Sequence, residues 1–337
     1  MQKEDSLMTS VAGTLGSVTV GDAKVFKNLT MFPLTGAVNA PLDYLPLGRA
    51  LRLGVARVVE VSTGGRVPEL RFENTADLPV LILDGEELVG AKQNRTVNLT
   101  MLVPAGATLD IPVTCVEAGR WSYASHEFET SNHVHFARGR AKKAAAVSCS
   151  MSGGGGRCAD QSQVWAEISA KSRRMAAPSP TQAMAAIFDR HRSSVEDYVE
   201  ALTPAEGQAG AIFAIGAEVV GLDLFDRNST LVATLPKLVR SYAIDALETP
   251  VAERCDPQRA TAFLKTLGGA PVESFPAVGL GTDLRLRCEG LVGGGLEVEG
   301  VLVHLAAFAV EAAPTGGRRE ARGLAPMRSR RDTFRRR

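Results

Sequence analysis

Between residues 51 and 117, hydrophobic and polar positions alternate in short runs separated by turn residues. Leu53, Val55, Arg57, Val59 and Val61 recur with a period of two, which predicts a strand ended by Thr63-Gly64-Gly65. A second run at 70–73 breaks at Asn74-Thr75-Ala76-Asp77. A third, apolar over 80–83, closes on the hairpin signal Asp84-Gly85. Runs at 96–103 and 109–116 flank Pro104-Ala105-Gly106. Five or six short strands at this spacing predict an antiparallel sandwich or barrel-like unit.

Beyond residue 147 the pattern changes. Ser148-Cys149-Ser150-Met151-Ser152 followed by Gly153 to Gly156 reads as a flexible loop; a phosphate cradle would need a following Lys-Ser/Thr, which is missing. A helix is expected over 162–175. A second is expected to open at the capping box Ser179-Pro180-Thr181-Gln182, with Met184, Ile187, Phe188, Val195, Tyr198, Val199 and Leu202 on its core face. Strands at 211–215 and 218–225 surround Gly216-Ala217. Helices follow at 231–247, containing Pro236, and at 256–267, stopped by Gly268-Gly269. Strands return at 278–280, 284–288, 296–299 and 301–308.

The predicted fold is α+β: an antiparallel β-sandwich-like N-terminal part, a helical insertion, then an α+β part with antiparallel strands. The corresponding segments are a flexible leader (1–25), a β-rich domain (26–147), a Gly/Ser loop (148–160), a helical segment (161–204), an α+β part packed with the first (205–313), and a disordered Arg-rich tail (314–337). A G-x-E-Φ-V-G pattern occurs at 85–90 and again at 216–221, each followed by an arginine, Arg95 or Arg227. Duplication and two ordinary hairpins are both open readings.

Composition is globular, with 45% hydrophobic and 22% charged residues. The net charge of +1 conceals nine arginines against Glu320 and Asp332 in 318–337, so the rest of the chain is mildly acidic. That tail could touch nucleic acid or another anionic partner weakly, while the acidic body argues against dedicated nucleic-acid binding. Five cysteines without a CxxC pair, no export signal and no long apolar stretch point to a cytoplasmic protein outside the membrane.

The densest polar segment is 84–95. A hairpin needs Asp84-Gly85, but not Glu86, Glu87, Lys92, Gln93, Asn94 and Arg95 together. Carboxylates beside amides and a guanidinium can bind a polar ligand by directional hydrogen bonds; a solvated hairpin with internal salt bridges is the alternative. A second cluster runs from Cys115 to Trp121. There Glu117 shares a strand face with Cys115, Arg120 could hold an anion, and Trp121 could stack on a base. Cys115 reads as a structural thiol, since no histidine stands in its motif. His126, His133 and His135 with Glu127 and Glu129 offer one candidate metal group, but the segment is polar and loop-like, so no metal ligands are assigned; the cofactor is unknown. Asp223 and Asp226 read as strand-end carboxylates.

The stretch 83–95, then Pro112-Val113-Thr114-Cys115-Val116-Glu117 and Gly119-Arg120-Trp121, resembles the ADP-ribosylglycohydrolase and rhodanese-phosphatase associated protein family. Gly210-Ala211-Ile212-Phe213, Val220 to Asp226, Pro236-Lys237-Leu238 and Arg240-Ser241-Tyr242 extend the resemblance over about residues 30–310. It implies work near ADP-ribose-like or NAD-derived nucleotides and carries no catalytic assignment. The expectation is a nucleotide-like small-molecule ligand held by Asp84, Lys92, Gln93, Asn94, Arg95, Arg120 and Trp121. If the protein is a hydrolase of ADP-ribose-related phosphoester or glycosidic substrates, Glu86, Glu87 and Glu117 supply acid/base groups. A non-enzymatic adaptor using the same hairpin is the alternative.

Overall fold

Period-two runs and continuous apolar runs take different places in the molecule. The computed structural model describes residues 11–36, 42–62 and 64–310; the tail expected over 314–337 lies outside them. Residues 11–17, inside the expected leader, are helical (α1), and Val11 and Leu15 are buried. β1 (Thr19–Val20) and β2 (Lys24–Phe26) lie along one edge of β3 (Leu29–Thr35). The sheet continues through β13 (Gly210–Ile215), β14 (Glu218–Phe225), β18 (Val301–Ala309), β17 (Leu291–Val298), β16 (Thr282–Cys288) and β15 (Val272–Pro276), all antiparallel. Helices cover both of its faces: α7 (Asn228–Glu248) packs on one, α1 and α8 (Pro257–Gly268) on the other. β13 is therefore buried on both sides and reads Ala-Ile-Phe-Ala-Ile without alternation.

The hairpin belongs to a six-stranded sheet ordered β12 (Phe128–Val134), β8 (Glu86–Gly90), β9 (Arg95–Val97), β11 (Thr108–Cys115), β6 (Glu69–Asn74) and β5 (Ala56–Glu60). A three-stranded sheet, β10 (Met101–Val103), β7 (Val80–Ile82) and β4 (Leu45–Pro46), has one parallel pair, β4–β7. Val58, Phe72, Ile82, Leu88, Met101 and Ile111 from the two sheets share one core, the sandwich-like part. Leu47 and Ala50 of α2 (Leu47–Arg52) and Val147 of α3 (Ala137–Ser152) complete it. Fully burying each large aliphatic or aromatic side chain there contributes about 1.5–3 kcal/mol.

Several expected boundaries move. Leu53 is 59% exposed in a turn after α2, and the strand starts only at Ala56. Leu47 and Ala50, three apart, bury one helical face that a period-two reading overlooks. Ser148 to Ser152 form the last turn of α3 rather than a loop, and the chain leaves the helix at Gly153. The box at Ser179 caps no long helix. Its hydroxyl accepts from the Ala183 N–H at 3.1 Å within a turn, Gln182 has φ +53°, and α5 (Ala185–Arg190) begins later. His191 then separates α5 from α6 (Arg192–Ala201) and donates through Nε2 to the Met175 carbonyl at 2.8 Å. Gly279 makes an isolated bridge to Leu102 in place of a strand at 278–280. α4 (Gln161–Arg174) starts at the Asp160 cap, and α7 carries Pro236 internally. Among the described residues no helix is long and apolar enough to cross a membrane.

Candidate functional site

Strand register divides the 84–95 run. Glu87 stands opposite Thr96 and Leu88 opposite Arg95, so the Glu87 and Arg95 side chains leave opposite faces of the sheet. Glu87 is fully buried, 2.5 Å from His133 Nε2, and the imidazole stacks on Phe188 with ring centres 3.7 Å apart. Asp84 faces a buried charge network. Its Oδ1 lies 2.7 Å from Lys143 Nζ and its Oδ2 lies 3.5 Å from Arg140 Nε. Its N–H donates to Thr100 Oγ1, which pairs with His304 Nδ1 at 2.8 Å. Arg140 donates through Nη1 and Nη2 to the two Asp223 oxygens at 3.1 and 2.6 Å, and Tyr242 donates to Asp223 at 3.2 Å. Burial alone would push the Asp223 carboxyl up; the adjoining guanidinium and hydrogen bonds outweigh it and hold it below the usual range. This network ties α3 and the hairpin to β14 and β18.

Lys92, Gln93, Asn94 and Arg95 do meet the second cluster. Arg120 is wholly engaged: Nη1 donates to the carbonyls of Ala91 (2.6 Å) and Ser122 (3.0 Å), Nη2 to Gly90 O (3.2 Å) and Asn94 Oδ1 (3.0 Å), and Nε to Glu117 Oε2 (2.9 Å). Glu117 Oε2 also accepts from the Asn94 N–H at 3.0 Å. Burial works to raise the Glu117 carboxyl, but hydrogen bonds from Arg120, Thr181 and Asn94 hold it low. Gln93 donates to the Glu117 carbonyl at 3.0 Å and accepts from Arg95 Nη1 at 3.0 Å and from the Cys115 thiol at 3.2 Å. Burial pushes the Cys115 thiol up, which suits an inert hydrogen-bonded sulfur. Lys92 Nζ donates to the Gly64 carbonyl at 2.7 Å and lies 5.2 Å from the Trp121 ring centre.

Glu86 goes elsewhere. Its Oε2 accepts from Lys237 Nζ at 2.7 Å and Thr130 Oγ1 at 2.9 Å, at the wall of a cleft of about 220 Å³. The cleft lies at the start of α7 and is lined also by Tyr44, Arg49, Arg52, Arg227 and Thr230. Arg227 donates to Asp226 Oδ2 at 3.0 Å and stands 4.4 Å from the Tyr44 ring centre. The Tyr44 hydroxyl donates to Asp226 Oδ1 at 2.5 Å and pairs with Thr230 Oγ1 at 2.7 Å. Arg49 and Arg52 are exposed, and their guanidinia make no hydrogen bond or ion pair with the described residues. No side chain caps α7, so the positive end of its dipole adds to the four basic groups.

Glu86, Glu87 and Glu117 thus occupy three environments, while Lys92 to Arg95, Glu117, Arg120 and Trp121 share one. Among the described residues no group of three or more His, Cys, Asp or Glu side chains is placed to hold a metal ion. The sequence reading did not single out Tyr44, Arg49 and Arg52. The i,i+3 spacing of the two arginines beside buried Leu47 and Ala50 is the signal that would have found them.

The chain belongs to the ARPP-1 family, the ARG and Rhodanese-Phosphatase-superfamily-associated Protein domain, whose family model matches residues 17–308. No curated protein and no solved structure matches it.

Proposed function

We propose that the protein binds ADP-ribose-like, NAD-derived nucleotides in the α7 cleft, with their phosphates against Arg49 and Arg52. The observation that carries this reading is the pair of unengaged guanidinia in front of an uncapped 21-residue helix. Lys237 and Arg227 already face Glu86 and Asp226, so Arg49 and Arg52 supply the charge for an incoming phosphate. Guanidinium forks and helix N-termini both suit phosphate oxygens. The cleft hydroxyls of Thr230 and Ser229 are of a kind that bonds ribose or phosphate. A family named for association with ARG and phosphatase-superfamily proteins supports a phosphate-bearing ligand. Because Glu86 is held by Lys237 and Thr130, the reading is one of binding.

A thermal-shift series with ADP-ribose, ADP, ribose 5-phosphate and adenosine tests it. At a ligand concentration one hundred times Kd, binding adds about 2.7 kcal/mol to stability. ADP-ribose is expected to raise Tm, adenosine to leave it unchanged, and the Arg49→Ala/Arg52→Ala variant to lose the response. Equal responses to adenosine and ADP-ribose, or a double variant that responds like the wild type, would reject the cleft as a phosphate site.

A further inference from the structure

Arg95 is fully buried and only half engaged. Nη1 donates to Gln93 Oε1, while Nε and Nη2 have no hydrogen-bond partner among the described residues. Those two N–H groups form the side-on edge of the guanidinium, which presents two parallel donors. Glu60 is in the complementary condition. It is buried, its Oε1 accepts from the Lys92 N–H at 3.4 Å, and its Oε2 has no partner among the described residues. Both groups stand against one indole. The Arg95 guanidinium carbon is 5.6 Å from the Trp121 ring centre. A Cβ built on Gly65 would lie 3.2 Å from Glu60 Oε2, 3.2 Å from Lys92 Cδ and 3.3 Å from Trp121 Cζ2, so these three side chains converge beside Gly65. No ion pair within 4.0 Å joins Arg95 to Glu60. A buried donor edge and a buried acceptor, both left unpaired near the same indole, call for a ligand that satisfies both.

We propose that Arg95, Glu60 and Trp121 form an enclosed socket for a planar primary carboxamide. The amide oxygen accepts from Arg95 Nε and Nη2, the amino group donates to Glu60 Oε2, and the amide plane lies beneath Trp121. A carboxylate would match the guanidinium but set a second negative charge against Glu60. An amide offers acceptor and donor together without net charge. Trp121 is 48% exposed, so its ring is the wall between socket and solvent, and displacing that one side chain admits a ligand. The socket is separate from the α7 cleft and does not rest on the nucleotide reading.

The chain has two tryptophans, Trp121 and Trp165, so the full-length Trp165→Phe protein reports on Trp121 alone. Titration with benzamide is expected to change its fluorescence saturably, with benzoate weaker by at least about tenfold in Kd. Adding Glu60→Gln should reverse the preference, because the new side-chain amide can donate to a carboxylate. Arg95→Lys keeps the charge, loses the fork and should abolish the benzamide response. Absence of saturable change with benzamide overturns the proposal. So do equal affinities for the two probes, or an unaltered preference in Glu60→Gln protein that keeps the parent melting temperature. Failure of ADP-ribose to bind would leave each of these results unaffected.

Discussion

Replacing Arg140 with methionine strands one carboxylate in the centre of the molecule. Arg140 and Asp223 are both fully buried and joined by two hydrogen bonds. Asp84, the other carboxylate on Arg140, keeps Lys143 at 2.7 Å, so the loss falls on Asp223. Tyr242 and His304 remain beside Asp223 but bring no permanent positive charge. Removing one partner of a buried ion pair costs roughly 3–5 kcal/mol. With an unfolding entropy of about 2.1 cal/mol/K per residue over 337 residues, that lowers Tm by about 4–7 °C. The pH dependence gives a second reading. In the wild type the Asp223 carboxyl is held low, so its stabilisation is complete above the unfolded value and is lost as pH falls through the folded one. Without Arg140, burial dominates and raises the carboxyl, so the variant's deficit shrinks as the solution is acidified toward the usual carboxylate range. Urea unfolding of Arg140→Met, Asp223→Leu and the double variant at neutral and mildly acidic pH measures all of this. The double variant should cost less than the sum of the singles. Additive costs, a neutral-pH deficit below about 1 kcal/mol, or a deficit that ignores pH would refute the reasoning.

Two further outcomes test the hairpin cluster. Because Glu117 is held low by Arg120, Thr181 and Asn94, its contribution is present above the unfolded carboxylate value and lost as pH falls through the folded one; Glu117→Gln should therefore flatten the acid side of the stability profile, and an unchanged profile would show that the carboxylate contributes nothing there. Brief alkylation at neutral pH should label exposed Cys149 and Cys158 well before buried Cys115, read by peptide mass spectrometry, and equal labelling rates would contradict the closed environment drawn for that thiol.

Local pattern accounts for much of the architecture. The β6 and β11 runs, the β13–β14 pair around Gly216-Ala217, the helix opening at Asp256 and the strands β16 and β18 lie close to where periodicity and turn residues put them. The strands β1 to β3 and β12 escaped because little alternation marks them: β3 is buried almost throughout, and β12 is largely polar. The two G-x-E-Φ-V-G copies illustrate the limit of a motif. Glu87 is fully buried beside His133, whereas Glu218 is exposed and pairs with Arg259.

What the sequence determined by itself was the α+β class and the position of the polar run, since both follow from periods and composition over a few residues. What only the tertiary structure decided was the direction and company of each polar side chain. Register parity sends Glu87 and Arg95 to opposite faces, and sheet order brings Arg140 onto Asp223 across 83 residues of chain. A short helix, formed because Leu47 and Ala50 can be buried together, carries Arg49 and Arg52 to the first turn of α7. These pairings depend on which strands and helices become neighbours, and that is set by burial of the whole core rather than by any local run of residues.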